Sequence, residues 1–180
     1  MILLLKIINT IREYQEKCVF KMNLTIIAAI SKNNVIGKYG EIPWYIPEDI
    51  KRFKDITFNH PVIMGRKTYE SLSEKFKPLP GRKNIVLSNT LNEQSGIYLA
   101  RNIEQAIGFT DNKDSFIIGG WEIYKKFLPF SNKLEITRVN QNVFGDILFP
   151  EINFSEWDLI NREDRGFYSF LTYLRKNQQF

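Results

Sequence analysis

A chain of 180 residues, 43% of them hydrophobic, has the length and apolar content of one enzyme domain. Its net charge of +5 comes from 25 Lys and Arg scattered among 20 Asp and Glu, with no long basic run; this argues against a nucleic-acid surface and suits small anionic ligands. One cysteine, Cys18, excludes an intrachain disulfide framework and predicts a reducing, cytoplasmic setting, and one histidine, His60, leaves neither a metal cluster nor a Ser/His/Asp triad to build.

The first 22 residues stand apart. Leu4, Ile7, Ile8 and Ile11 recur at helical spacing, with Lys6, Arg12, Glu13 and Lys17 among the polar positions. The apolar run Ile2 to Leu5 is too short to span a membrane and lacks the order of a secretory signal. Four of the 25 bases and two of the 20 acids lie in this segment, so the remainder carries 21 and 18, a net of +3. Residues 1–22 are expected to be a dispensable extension or the product of a start site placed upstream of Met22. A short amphipathic appendage, or a membrane anchor in residues 1–21, is the alternative. Residues 23–180 are expected to form the functional domain.

From Asn23 onward strands and helices alternate. Apolar runs at Leu24 to Ile30, Pro61 to Met64, Asn84 to Leu87 and Ser115 to Ile118 read as strands buried on both faces. Amphipathic stretches at Pro47 to Phe58, Lys67 to Phe76, Ile103 to Phe109 and Glu122 to Phe127 read as helices. The pattern predicts an α/β domain: a mostly parallel sheet flanked by helices on both faces. Lys133 to Asn140, Trp157 to Asn161 and Tyr168 to Arg175 read as strands with no helix between them. The last two, joined through Arg165-Gly166, predict an antiparallel C-terminal hairpin at one edge. His60, before Pro61, reads as a solvated loop residue.

The segment Pro43-Trp44-Tyr45-Ile46-Pro47-Glu48-Asp49-Ile50-Lys51-Arg52-Phe53 is the most informative. Pro47 suits a first helical turn, where no backbone N–H is needed. Ile46, Ile50 and Phe53 share a helical face, and Asp49 lies on or beside it. A carboxylate against Ile, Phe and Trp needs a partner, and a planar cationic heterocycle with adjacent N–H groups would supply one. Asp49 would equally complement the helix dipole in the first turn. Gly119-Gly120, at a strand end, opens a helix and lets a ligand approach the backbone, or merely permits a tight turn. Gly65-Arg66-Lys67-Thr68 repeats that layout with two cations, a fit for a phosphate or an exposed basic helix start.

Five motifs in order resemble dihydrofolate reductase of the bacterial type over about residues 23 to 175. They are Pro43 to Phe53, Pro61 to Ser71, Pro78 to Ser88, Ile117 to Tyr124 and Gly145 to Pro150. The resemblance implies an eight-stranded sheet with a terminal hairpin, NADPH as cofactor and 7,8-dihydrofolate as substrate. It makes Asp49 the group that holds and orients the pterin, aided by Thr137. Substrate contacts are implied at Ile27, Ala28, Trp44 and Phe53. Arg82, with Lys77 as a lesser candidate, would take the carboxylate of the glutamate tail; a plain surface arginine in a turn is the other reading of Arg82. Cofactor contacts are implied at Ala29, Gly65, Arg66, Lys67, Thr68, Leu87, Ser88, Asn89, Arg101, Gly119, Gly120, Trp121, Glu122, Ile123 and Tyr124. Ser88 and Arg101 would help hold the 2′-phosphate that separates NADPH from NADH. Ile36, Gly37, Gly40 and Ile42 belong to a loop that resembles the family's mobile loop over the nicotinamide. No metal is implied. The expected protein is a monomeric cytoplasmic oxidoreductase with small-molecule partners, free of nucleic acid and membrane.

Two positions depart from the pattern. Trp121 stands where the family usually has a small residue, which questions the fit of the pyrophosphate. Ile147 replaces the usual threonine of the Gly-Asp-Thr loop, which predicts a missing loop hydrogen bond. Two other classes share the sheet: a pterin-binding protein without turnover, and a reductase of the riboflavin pathway. The latter lacks the Pro-Trp-x-x-Pro-x-Asp arrangement.

Overall fold

The structure, a computed structural model, describes residues 23–176. The predicted extension, residues 1–22, lies outside the described residues. Among the described residues ten strands form two sheets. The large one has eight strands: β1 (Leu24–Ser31), β3 (Pro61–Gly65), β4 (Lys83–Leu87), β5 (Ile97–Ala100), β6 (Ser115–Gly119), β7 (Lys133–Val139), β9 (Trp157–Asp164) and β10 (Tyr168–Arg175). Their order is β5-β4-β3-β6-β1-β7-β10-β9. All pairings are parallel except β7 with β10 and β10 with β9. The predicted mostly parallel sheet with an antiparallel terminal hairpin is therefore present. β2 (Val35–Gly37) and β8 (Ile147–Leu148) form a separate antiparallel pair.

Among the described residues four helices cover the sheet: α1 (Pro47–Thr57), α2 (Arg66–Ser71), α3 (Ile103–Gly108) and α4 (Trp121–Phe127). The period of two along the strands assigns their side chains to faces. On one face Leu24, Ile26, Ile63, Ile85, Ile117, Leu134 and Ile136 pack with Ala106 and Ile107 of α3 and Ile123, Tyr124 and Phe127 of α4. On the other, Val62, Met64 and Val86 pack with Tyr69 of α2 and Phe53 of α1. Val139, Tyr168 and Phe170 close around Ile46 and Trp44 at the start of α1. Burial on both faces explains the uninterrupted apolar runs.

Three expectations need correction. The predicted helix Lys67 to Phe76 is two pieces: α2 stops at Ser71, and a 3₁₀ turn follows at Glu74–Phe76. Ile50, assigned by spacing to the inward face of α1, is 54% exposed. It is absent from the buried clusters of the core. His60 is half-buried; its Nδ1 lies 3.0 Å from the Asp114 carbonyl and its ring meets the edge of Phe116.

The β2–β8 pair is held at a point with no spare room. A Cβ at Gly145 would lie 2.3 Å from Val35 Cγ1 and 2.4 Å from the Gly37 carbonyl oxygen. One of those atoms is backbone and cannot rotate away. Gly145→Ala should cost about 1–3 kcal/mol of stability, the usual range for overpacking, measured by urea unfolding. An unchanged midpoint would mean that the pair moves apart freely.

Candidate active site

In an open α/β sheet the ligand cleft lies beyond the carboxyl ends of the strands, where the order reverses. Here the chain leaves β1 toward β3, β4 and β5, then returns to place β6 and β7 on either side of β1. α1 covers one face and α4 the other, so a cleft opens at the ends of β1, β6 and β7.

Asp49 faces this cleft from the first turn of α1. Pro47 opens the helix and Ile46, the residue before it, is buried against Tyr168 and Phe170. The Thr137 hydroxyl on β7 donates to Asp49 Oδ1 at 2.5 Å. Burial pushes the Asp49 carboxyl above its ordinary range; the Thr137 hydrogen bond and the positive Arg52 pull it down, and burial wins. Tyr124 of α4 donates its hydroxyl to the Ile27 carbonyl at 2.9 Å. Burial, and then the Asp49 charge, push Tyr124 upward, so it stays a neutral phenol. Trp44 Nε1 is a buried donor with no partner among the described residues. Ile27 and Ala29 share the α1 face of β1, and Ala29 stands opposite Thr137. Ala28 turns into the core under α4, so only its backbone can line the cleft.

At the far end of α1, Arg82 is half-buried. Its Nη1 donates to Thr57 Oγ1 at 3.2 Å, its Nε to the Pro80 carbonyl at 3.1 Å, and its guanidinium lies 5.6 Å from the Phe53 ring. Burial pushes its guanidinium pKa down from its ordinary value. Lys77 pairs with Glu74 at 3.4 Å and stands over Tyr69; no contact ties it to Arg82 or Asp49.

A row of strand ends lies on the other side of the cleft. Gly65 is in register with Leu87, and Leu87 with Ala100, so Arg66, Ser88 and Arg101 emerge side by side. Arg101 Nη1 donates to the Ser88 and Leu91 carbonyls at 2.8 and 3.0 Å, and Ser88 Oγ accepts from the Thr90 and Leu91 amides. Arg66 clasps both oxygens of Glu70 at 3.0 and 2.9 Å; Lys67 and Asn89 are exposed. Met64 is in register with Gly119, which is joined to Gly120 by a cis peptide. Gly119 has φ +127°, and a Cβ there would meet Tyr124 Oη at 3.3 Å; one at Gly120 would meet Thr68 Oγ1 at 3.3 Å. Side chains would crowd this bend; glycines leave its backbone open to a ligand. Trp121 starts α4, 41% exposed, with Lys125 Nζ 4.9 Å from its ring. Glu122 is exposed and shares a phosphate's sign, so only its backbone could face one. Ile123 packs inward against Gly65.

The loop over the cleft is tied down by Asp146. Its Oδ1 accepts from the Tyr39 amide at 2.9 Å, and its own amide donates to the Gly37 carbonyl. Ile147 packs on Gly37. Asp146 thus makes two hydrogen bonds to the loop, and Ile147 contributes an apolar contact. Ile36 and Gly37 sit within the pair, while Gly40 and Ile42 are exposed at the tip.

The sequence profile of the dihydrofolate reductase family matches residues 23–174. The chain belongs to the dihydrofolate reductase family. It is 51% identical to the dihydrofolate reductase of Buchnera aphidicola over 131 residues, covering 72% of this chain and 80% of that one. It is 42% identical to the Haemophilus influenzae enzyme over 139 residues, covering 77% and 85%. Among solved structures it resembles a dihydrofolate reductase from Enterococcus faecalis complexed with NADP(H) and RAB-propyl. That match has a TM-score of 0.77 and 30% identity, over 86% of this chain and 97% of that one.

Three features of the cleft escaped the sequence. Tyr168 donates to Glu48 Oε2 at 2.6 Å, pinning the first turn of α1 to β10. Thr57 links the end of α1 to Arg82. Arg52 pairs with the buried Glu135 beside Asp49. Only Arg52 left a signal, its spacing of three from Asp49; its partner is 83 residues away.

Proposed function

We propose that Asp49 anchors the pterin in this chain and that turnover depends on it. As a dihydrofolate reductase the chain reduces 7,8-dihydrofolate to 5,6,7,8-tetrahydrofolate with NADPH. The observation that carries the reading of the site is the Thr137–Asp49 pair, a half-buried carboxylate at the mouth of the cleft. Asp49 accepts from the 2-amino group and N3 of the pterin, and its charge favours the proton at N5. Thr137 shares the amino group and holds the carboxylate in place. Ile27, Trp44 and Phe53 exclude water around the ring, and Tyr124 stays neutral behind it. Water is the immediate proton source. Bound NADPH supplies the hydride delivered to C6. The chain positions the two reactants.

The open bend at Gly119-Gly120 and the cluster of Arg66, Ser88 and Arg101 support NADPH as the nucleotide. Arg66→Ala should weaken NADPH by about 1.5 kcal/mol or more, the scale of a charged hydrogen bond, and leave NADH nearly unchanged. Glu70 now occupies Arg66, so a phosphate must displace it. Titration of both cofactors checks this; equal losses would remove Arg66 from the 2′-phosphate site.

Absorbance-monitored oxidation of NADPH on adding dihydrofolate to the purified protein tests the function. Binding of both ligands without consumption would leave a binding protein of the same fold. We further propose that residues 23–180 carry the activity, and that the enzyme acts as a cytoplasmic monomer without nucleic acid. Scattered charge supports the last point. Among the described residues, no helix is long and apolar enough to cross a membrane.

A further inference from the structure

Two links join α1 to β7 side by side. One is Thr137 to Asp49. The other is Glu135 to Arg52, an ion pair between the residue two before Thr137 and the residue three after Asp49. Glu135 is buried and also takes Lys133 Nζ at 2.6 Å and the Thr172 hydroxyl at 2.9 Å. The Arg52 guanidinium lies 4.8 Å from the Phe170 ring, and its Nη1 is buried without a partner among the described residues. An ion pair this buried contributes little net stability, because desolvation offsets the attraction.

Its charge acts elsewhere. Arg52 and Lys133 are positive and Glu135 is negative, so the linked trio carries one net positive charge, and Arg52 is its member that acts on Asp49. Ionised Asp49 brings the group to neutrality; protonated Asp49 leaves it unbalanced. The other facing groups do not favour the carboxylate by charge. Glu48 on α1 is negative, Tyr124 on α4 and Tyr168 and Thr172 on β10 are neutral, and Thr137 only donates a hydrogen bond. Arg52 is the one charge that draws the Asp49 proton off. Its field is poorly screened, because both it and its anchor are largely withdrawn from water.

We propose that Arg52, anchored by Glu135, is a positioning residue for the reductase reaction: it locks α1 onto β7 and keeps Asp49 a carboxylate within a desolvating cleft. The inference rests on the reading of Asp49 as the pterin anchor.

The test follows the Asp49 carboxyl by ¹³C NMR in the ligand-free protein, with Asp49→Asn assigning the signal, alongside the pH dependence of kcat/KM. In Arg52→Met the Asp49 titration midpoint should rise by about one pH unit or more, the low end for losing an adjacent opposite charge. The limb of kcat/KM that Asp49→Asn abolishes should rise with it. Arg52→Lys, which keeps the charge, should titrate like the parent. If Arg52→Met does not fold, Arg52→Gln keeps a donor to Glu135 without the charge and should show the same rise. An unmoved midpoint in a folded neutral variant, with Asp49→Asn inactive, overturns the role of Arg52 alone. Equal shifts in Arg52→Lys and the neutral variants overturn it too, since packing and not charge would be responsible. Near-parent turnover in Asp49→Asn removes the underlying reading of Asp49.

Discussion

Asp49→Asn should lower turnover at neutral pH by roughly two orders of magnitude or more, a typical scale for losing acid–base assistance. The substitution keeps the shape and the Thr137 contact, because an amide oxygen still accepts from the hydroxyl. It removes the charge that favours a protonated pterin. Activity should partly recover at lower pH, where the substrate is protonated in solution. Turnover measured between about pH 5 and 8 checks both statements; a nearly normal rate at neutral pH would refute the assignment. The same change should stabilise the ligand-free fold. Burial holds the Asp49 carboxyl above the 3.8 of an unfolded chain, so the protonated form is the one the fold favours. The stability linked to this group is complete below about pH 3.8 and is lost as pH rises through the folded value. At neutral pH the parent therefore carries an ionised group that opposes folding, and the asparagine does not. The Tm difference between mutant and parent should be positive at neutral pH and shrink as pH falls toward 3.8.

The frame of the candidate site is legible in the sequence where its parts are local. Pro47, Ile46 and Asp49 define the start of α1 by spacing alone, and Gly119-Gly120 marks a strand-to-helix bend. The row of strand ends across the cleft was harder. Arg66, Ser88 and Arg101 become neighbours only through the registers Gly65–Leu87 and Leu87–Ala100, and parallel pairing leaves no sequence mark. The strand β5, half-exposed at the sheet edge, is apolar but only four residues long, too short a run to be told from a loop by period. β2 and β8 have three and two residues, too few to show any period. Helix α2 ends early because Leu72 takes an extended conformation. Ile50 misled because helical spacing assigns a face but cannot say how far along its width that face is covered. The Arg52–Glu135 pair depends wholly on α1 docking over β7.

Arg82→Leu should raise the dissociation constant for dihydrofolate on the order of tenfold or more, since a lost charged hydrogen bond costs at least about 1.5 kcal/mol. The guanidinium is already oriented, with Nε on Pro80 and Nη1 on Thr57. A guanidinium has five N–H donors, and these contacts use two, so a fork remains for a carboxylate. Orientation by protein contacts reduces the entropy lost when the tail binds. Leucine leaves no buried orphan behind, because the Thr57 hydroxyl still donates to the Phe53 carbonyl at 2.6 Å. The fold should therefore tolerate the change, which urea unfolding checks. A dihydropterin without the glutamate tail never reaches Arg82, so mutant and parent should bind it alike. Titration by tryptophan fluorescence, with Trp44 at the cleft as reporter, measures both ligands. Equal loss for the two would mean that Arg82 acts through the end of α1, and the tail would have to be held elsewhere.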